Sequence, residues 1–184
     1  MRQLTSDDMF SGWGIRTLCL QERRFNPIGY HVGTVWPHDN SIIAAGFRRY
    51  GFDGEAVNIL NGIVKAAENF EHHRLPEVFA GFSQNQFSLP VRYPVACHPQ
   101  AWAAGSIPFM VSSFLGLRAD AFNNRLRVIR PVLPSSVSNL EFRRIKIGDS
   151  TLDLRFQRTR DGSVTVNVMN RIGHVKVEVE PDSN

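Results

Sequence analysis

Near residue 122 the pattern of apolar residues changes character, and that change limits what the chain can fold into. Upstream, apolar side chains recur at helical spacing between long, structured loops. Downstream, short runs alternate apolar with polar, as half-buried strands do. Three helices are expected in the first part. One runs from about Asp39 to Tyr50, where Ile42, Ile43, Ala45, Gly46 and Phe47 leave little polar face. The second begins at Asp53 or Glu55 and reaches Phe70. It carries Val57, Leu60, Ile63, Val64, Ala67 and Phe70 on one side and Asn58, Asn61, Lys65 and Glu68 on the other. A third, from Pro99 or Gln100 to Gly116, is again mostly apolar, with Pro108 expected to bend or interrupt it. The first and third therefore read as buried helices, and the second as an outer, half-solvated one. In the tail, strands are expected at Val128–Ile129, Leu140–Ile147, Thr151–Gln157, Val164–Asn170 and His174–Glu180, with turns at Gly148-Asp149 and Asp161-Gly162. The expected fold class is mainly α: a helical segment over residues 1–122, then a small antiparallel β unit over 123–184.

Bulk properties narrow the function classes. The 184 residues are 42% hydrophobic and 21% charged, the balance of a soluble globular protein. The formal net charge of +4 is carried almost entirely by dispersed Arg, with no Lys/Arg tract and no alternation of base and aromatic. Nucleic-acid binding is not expected. Cys19 and Cys97 match no metal spacing and no disulfide framework, which suits a reducing compartment. Met1 to Ser11 is polar and acidic rather than signal-like, and no apolar run approaches the ~18 residues of a membrane span. A cytoplasmic protein without membrane contact is expected.

The chemistry concentrates in two places. Tyr30-His31-Val32-Gly33-Thr34-Val35-Trp36-Pro37-His38-Asp39-Asn40 packs aromatics, histidines, a carboxylate and an amide into one loop ahead of a helix. That mixture suits a neutral polyol, which offers hydroxyls at its rim and C–H groups on its faces. Asp39 or Asn40 could equally cap the helix. The second place is the long connection His72–His98, of a length usually reserved for function. Within it Glu77 follows Pro76 among Leu75, Val78, Phe79 and Phe82, so desolvation is expected to raise its pKa and fit it for acid–base work. A plain first-turn Glu would look the same. His72-His73 lacks a third ligand, and Ser83, Ser88 and Cys97 lack a nucleophile-elbow setting. No metal and no cofactor is expected.

Four segments then stand in order: Ser11-Gly12-Trp13-Gly14-Ile15-Arg16-Thr17-Leu18, Tyr30 to Asn40, Leu75-Pro76-Glu77-Val78-Phe79-Ala80-Gly81, and Tyr93-Pro94-Val95-Ala96-Cys97-His98-Pro99-Gln100-Ala101-Trp102-Ala103-Ala104-Gly105. Together, over roughly Phe10 to Leu133, they resemble the C-terminal part of the bacterial amylo-α-1,6-glucosidases, glycogen-debranching glycoside hydrolases. They are similar, more distantly, to the glucoamylase- and trehalase-like enzymes. The resemblance implies part of an (α/α)6 barrel, its last three helices, with the β tail packed on it. It implies Glu77 as the general base of an inverting mechanism, and Tyr30, His31, Trp36, His38, Asp39, Gln100 and Trp102 as the glucose-binding surface. The substrate would be an α-glucan or oligosaccharide. The family's general acid would lie upstream of Met1, so the chain is expected to be inactive alone. It would need a partner chain carrying the N-terminal barrel half, or self-association. The alternative is a truncated, non-catalytic remnant that binds carbohydrate or serves as an interaction module.

Overall fold

A computed structural model describes residues 3–180. The helices are α1 (Pro37–Arg49), α2 (Asp53–Ala67) and α3 (Ala101–Phe114), with a short 3₁₀ turn at Glu71–His73. The strands are β1 (Leu117–Asp120), β2 (Arg125–Ile129), β3 (Asn139–Ile147), β4 (Ser150–Arg158), β5 (Val164–Ile172) and β6 (Lys176–Glu180). Helix accounts for 25% of the chain and strand for 26%, in two three-stranded sheets, so the fold is mixed α/β. The expectation of a mainly α fold, a partial toroid with a minor β tail, is corrected. Three helices leave much of the first part as extended loop, while six strands occupy most of the region after α3. The chain divides into two compact units, Met1–Met110 and Val111–Asn184, the boundary falling inside α3.

In the first unit, α1 starts two residues earlier than expected because Pro37 occupies its first turn, where a fixed φ and a missing N–H cost nothing. Trp36 is the N-cap and makes no side-chain cap bond. Asn40, expected as a possible cap, does something else. Its Oδ1 accepts from the Ile15 amide at 2.7 Å, and its Nδ2 donates to the carbonyls of Ile15 (3.1 Å) and Trp36 (2.9 Å). One buried side chain thereby ties the Gly14–Arg16 segment to the start of the helix.

α1 packs on α2. Arg48, itself buried, pairs with Asp53 at the start of α2. Both helices bury one face: α2 has Ala56, Ile59, Leu60, Gly62, Ile63, Ala66 and Ala67 inside, and α1 has Ala44 and Phe47 inside while Ile42 is exposed. α2 is half-solvated as expected, with Asn58, Asn61, Lys65 and Glu68 exposed, and α1 is not the fully buried helix its composition suggested. Gly62 is required where it stands: a Cβ there would come within 2.7 Å of the Trp13 carbonyl oxygen. That close approach lets the Trp13 segment lie on α2 with its indole sealed from solvent and the Lys65 ammonium 5.5 Å from its centre.

Four extended segments lie side by side without forming regular strands. Isolated bridges join Arg16 to Val35, Val35 to Phe79 and Phe79 to Arg92. Val35 and Phe79 exchange both of their amide bonds, at 2.9 and 3.0 Å, and both side chains are fully buried. Segments far apart in sequence are registered this way against a common apolar floor. α3 runs unbroken through Pro108; it buries Ala103, Ser106, Met110 and Phe114 and exposes Trp102 and Phe109. It is not the buried helix its composition suggested.

In the second unit, β3-β4-β5 is an antiparallel meander, turned at Gly148 (φ 55°) and Gly162 (φ 88°), a conformation that glycine adopts without strain. β4 alternates as its sequence predicts, with Leu152, Leu154 and Phe156 inside. They join Leu115, Leu126, Val128, Leu133, Ile147 and Val175 in one apolar core. The second sheet corrects the expectation of a wholly antiparallel tail. β2 pairs with β1 antiparallel but with β6 in parallel, and Arg127 of β2 is clamped by both carboxylate oxygens of Glu180 of β6. Among the described residues, no helix is long and apolar enough to cross a membrane.

Candidate functional site

The bridged segments bring the Tyr30 loop, the Pro76–Glu77 turn and the Tyr93–Gln100 stretch together around one carboxylate. Glu77 is held at both oxygens. The Tyr30 hydroxyl donates to Oε1 at 2.7 Å, and the Cys97 backbone amide donates to Oε2 at 3.2 Å. The Glu77 amide in turn donates to the Cys97 carbonyl at 3.0 Å, so side chain and backbone are fixed against the same residue. Around this clamp lies an aromatic bed. The Tyr30 ring meets His31 edge-on at 4.5 Å, Trp36 edge-on at 4.7 Å and Tyr93 at 5.6 Å, while His31 stacks on Trp36 at 5.1 Å. The Trp36 indole N–H donates to the Tyr30 carbonyl (3.0 Å) and to the Thr34 hydroxyl (3.1 Å), which locks the bed's orientation.

The electrostatics differ from the expectation. The Tyr30 hydroxyl, before anything else, holds the Glu77 carboxyl below the ordinary range. Partial desolvation opposes this, and the Cys97 amide and the Gln100 side chain reinforce it. Desolvation alone would have raised the value, as the apolar neighbours in sequence suggested, but donors to the charged form outweigh it. Tyr30 shows the other half of the same interaction: the bond to Glu77, with burial and the carboxylate's charge behind it, pushes the phenol up to about 12.

The two shifts have defined pH windows. The lowered Glu77 value contributes stability present above about pH 4.3 and lost as pH falls through the folded value. The raised Tyr30 value contributes stability present below about pH 10 and lost as pH rises through the folded value. Tyr30→Phe is expected to move the Glu77 titration upward toward that of a free carboxyl, read by carbon-13 NMR of the side-chain carboxyl. An unmoved midpoint would rule out control by Tyr30.

Of the eight residues singled out in sequence, Tyr30, His31, Trp36, Glu77 and Gln100 fall into this cluster. His38 and Trp102 form a separate pair, their rings stacked 4.3 Å apart, with Trp102 48% exposed. Asp39 is exposed in the first turn of α1 and belongs to neither group. Two participants had not been singled out. Tyr93 lies inside a quoted motif, and its signal was an aromatic beside Pro94. Cys97 acts through its backbone, which leaves no side-chain pattern to read. His72 and His73 sit in the exposed 3₁₀ turn at positive φ, 52° and 56°. The arrangement offers an oriented carboxylate, its pKa lowered, beside aromatic faces, which suits abstraction of a proton from water or a hydroxyl. The chain matches no protein-family model, and comparison with curated proteins finds no significant match.

Proposed function

We propose that this chain carries the general base and part of the glucose-binding surface of an inverting glycoside hydrolase, similar to bacterial amylo-α-1,6-glucosidases and acting on α-glucosidic bonds of glycogen-like glucans or oligosaccharides. The observation that supports it most is the state of Glu77: ionised, fixed at both oxygens and bedded among aromatic rings. A general base must be unprotonated at working pH, and a lowered pKa secures that. Each oxygen keeps lone pairs beyond the one used by Tyr30 or Cys97, so a water can still donate to the carboxylate. Deprotonated as it attacks, that water reaches the anomeric carbon from the face opposite the leaving group. The half-buried Tyr30 and the exposed Trp102, backed by His38, supply the flat surfaces that C–H faces of a pyranose favour, with the buried Trp36 beneath Tyr30. The mechanism also needs a general acid about 6.5–9.5 Å away across the bond. In the family this acid comes from a segment preceding the motifs seen here. With both cysteines free, a cytoplasmic location fits the same reading.

Hydrolysis of isomaltose, panose and maltotriose followed by proton NMR tests the proposal. The sugar released from an α-glucosidic bond is expected first as the β anomer. Release of the α anomer would exclude the inverting assignment. A second reading, a non-catalytic glucan-binding or interaction module, is favoured by the half-exposed Trp102 face. Oligosaccharide binding without bond cleavage in any assembled form of the protein would decide for that reading.

A further inference from the structure

A cavity of about 200 Å³ opens just past α2, beside the Glu77 cluster, and draws part of its lining from the Pro76 turn and the Tyr93–His98 stretch that also hold Glu77. Its apolar floor is Phe70 and Pro76, both buried, and Pro94 and Ala96 add to its rim. Its polar lining comes from Arg92, Tyr93 and His98, and among the described residues no carboxylate lines it. The Arg92 guanidinium carbon sits 5.7 Å from the centre of the Phe70 ring. A guanidinium laid on an aromatic face keeps its N–H edge directed outward, the geometry that accepts a phosphate or carboxylate in two bonds. The His98 Nε2 lies 3.0 Å from the Arg74 carbonyl oxygen. A carbonyl can only accept, so Nε2 is the donor in this contact and Nδ1 is left to pair with a ligand hydroxyl. A cation edge, an imidazole nitrogen and an apolar floor together select a ligand with an anionic group, hydroxyls and a C–H face. The volume lies below the ~300–1,000 Å³ of drug-sized sites, so one sugar ring rather than a chain is the scale.

We propose that this cavity binds a small hydroxylated organic anion, a phosphorylated or carboxylated monosaccharide, with its charge on Arg92, a hydroxyl on His98 and its carbon face on Phe70 and Pro76. The site does not rest on the hydrolase reading, because none of these groups is asked to do chemistry.

Calorimetric titration with glucose 6-phosphate, glucuronate, inorganic phosphate and glucose separates the possibilities. At least one of the two anionic sugars is expected to bind with Kd of about 1 mM or tighter, and whichever binds better identifies the anionic group. Inorganic phosphate and glucose should each bind at least about tenfold more weakly, since each offers only half of the complementarity. Arg92→Gln is expected to weaken the anionic sugar by about tenfold or more and Arg92→Lys by less, whereas Glu77→Gln leaves it unchanged. Equal affinity of wild type and Arg92→Gln, phosphate binding as tightly as its sugar ester, or no binding of either anionic sugar in the millimolar range would each overturn the proposal. Loss of binding in Glu77→Gln would place the ligand in the Glu77 cluster instead, and would also overturn it.

Discussion

Replacing Gly81 with alanine is expected to destabilise the first compact unit by about 4 kcal/mol or more. A Cβ at this position would stand 1.7 Å from the carbonyl oxygen of Gly33 and 2.8 Å from its carbonyl carbon. Both are backbone atoms, so no side chain can swing aside. One of the two segments must move by more than an ångström, and neither is free to. The Gly81 amide donates to Pro27 at 2.8 Å, and its carbonyl accepts from the buried Arg16 Nε at 2.6 Å. Two residues back, Phe79 is bridged to both Val35 and Arg92. Separation would sacrifice buried hydrogen bonds worth about 1–3 kcal/mol each when a partner is left unsatisfied. Overpacking adds roughly 1–3 kcal/mol. Against a typical domain stability of about 5–15 kcal/mol, the sum is a large fraction.

Gly46 in the middle of α1 is the matched control, because a Cβ there meets nothing within 4 Å. Gly46→Ala is expected to be neutral or to stabilise by about 0.5–1 kcal/mol through helix propensity. Urea unfolding followed by tryptophan fluorescence measures both, and it reports this unit selectively because Trp13, Trp36 and Trp102 all lie within Met1–Met110. A Gly81→Ala midpoint close to that of wild type would mean that the two backbones are not pressed together as described.

The contrast between these two glycines also shows why some of the structure was readable in advance and some was not. The helices announced themselves because residues such as Leu60, Ile63 and Ala67 recur at the period of the α-helix. The alternation of β4 was equally local. Nothing local marks the approach of Gly81 to Gly33, or the single-residue bridges from Arg16 to Val35 to Phe79 to Arg92. One paired residue has no periodicity. The parallel pairing of β2 with β6 is hidden for the same reason, since its partners lie about fifty positions apart and neither strand encodes the other's direction. The mixed fold class is hidden because the four motifs all lie before residue 106, whereas the six strands all follow α3. In the site, the unusual density of polar and aromatic residues was legible, and so was a carboxylate in apolar company. The sign of its pKa shift was not. That sign is set by a phenol 47 residues away and by a backbone amide, and neither is visible in the neighbours of Glu77.

On the proposed mechanism, Glu77→Gln is expected to lower turnover of an α-glucosidic substrate by about 10²–10⁴-fold while leaving oligosaccharide binding largely unchanged. The amide is close to isosteric, and the clamp around it can adapt. With the amide oxygen turned toward Cys97, the backbone N–H keeps its acceptor. The Tyr30 hydroxyl, which can accept as well as donate, then takes an N–H from the new amide. The aromatic bed of Tyr30, His31, Trp36 and Tyr93 keeps its geometry, so contacts to the faces of a sugar survive. What disappears is the capacity to take a proton from water, which an amide lacks at any accessible pH. The acid limb of the pH–rate profile should vanish with it, since that limb reports protonation of this carboxylate. Steady-state kinetics and equilibrium binding of maltotriose, compared in a form of the protein competent for hydrolysis, separate the two effects. Near-normal turnover would remove Glu77 from the mechanism. A parallel loss of binding and turnover would make it a group that positions the sugar rather than the base.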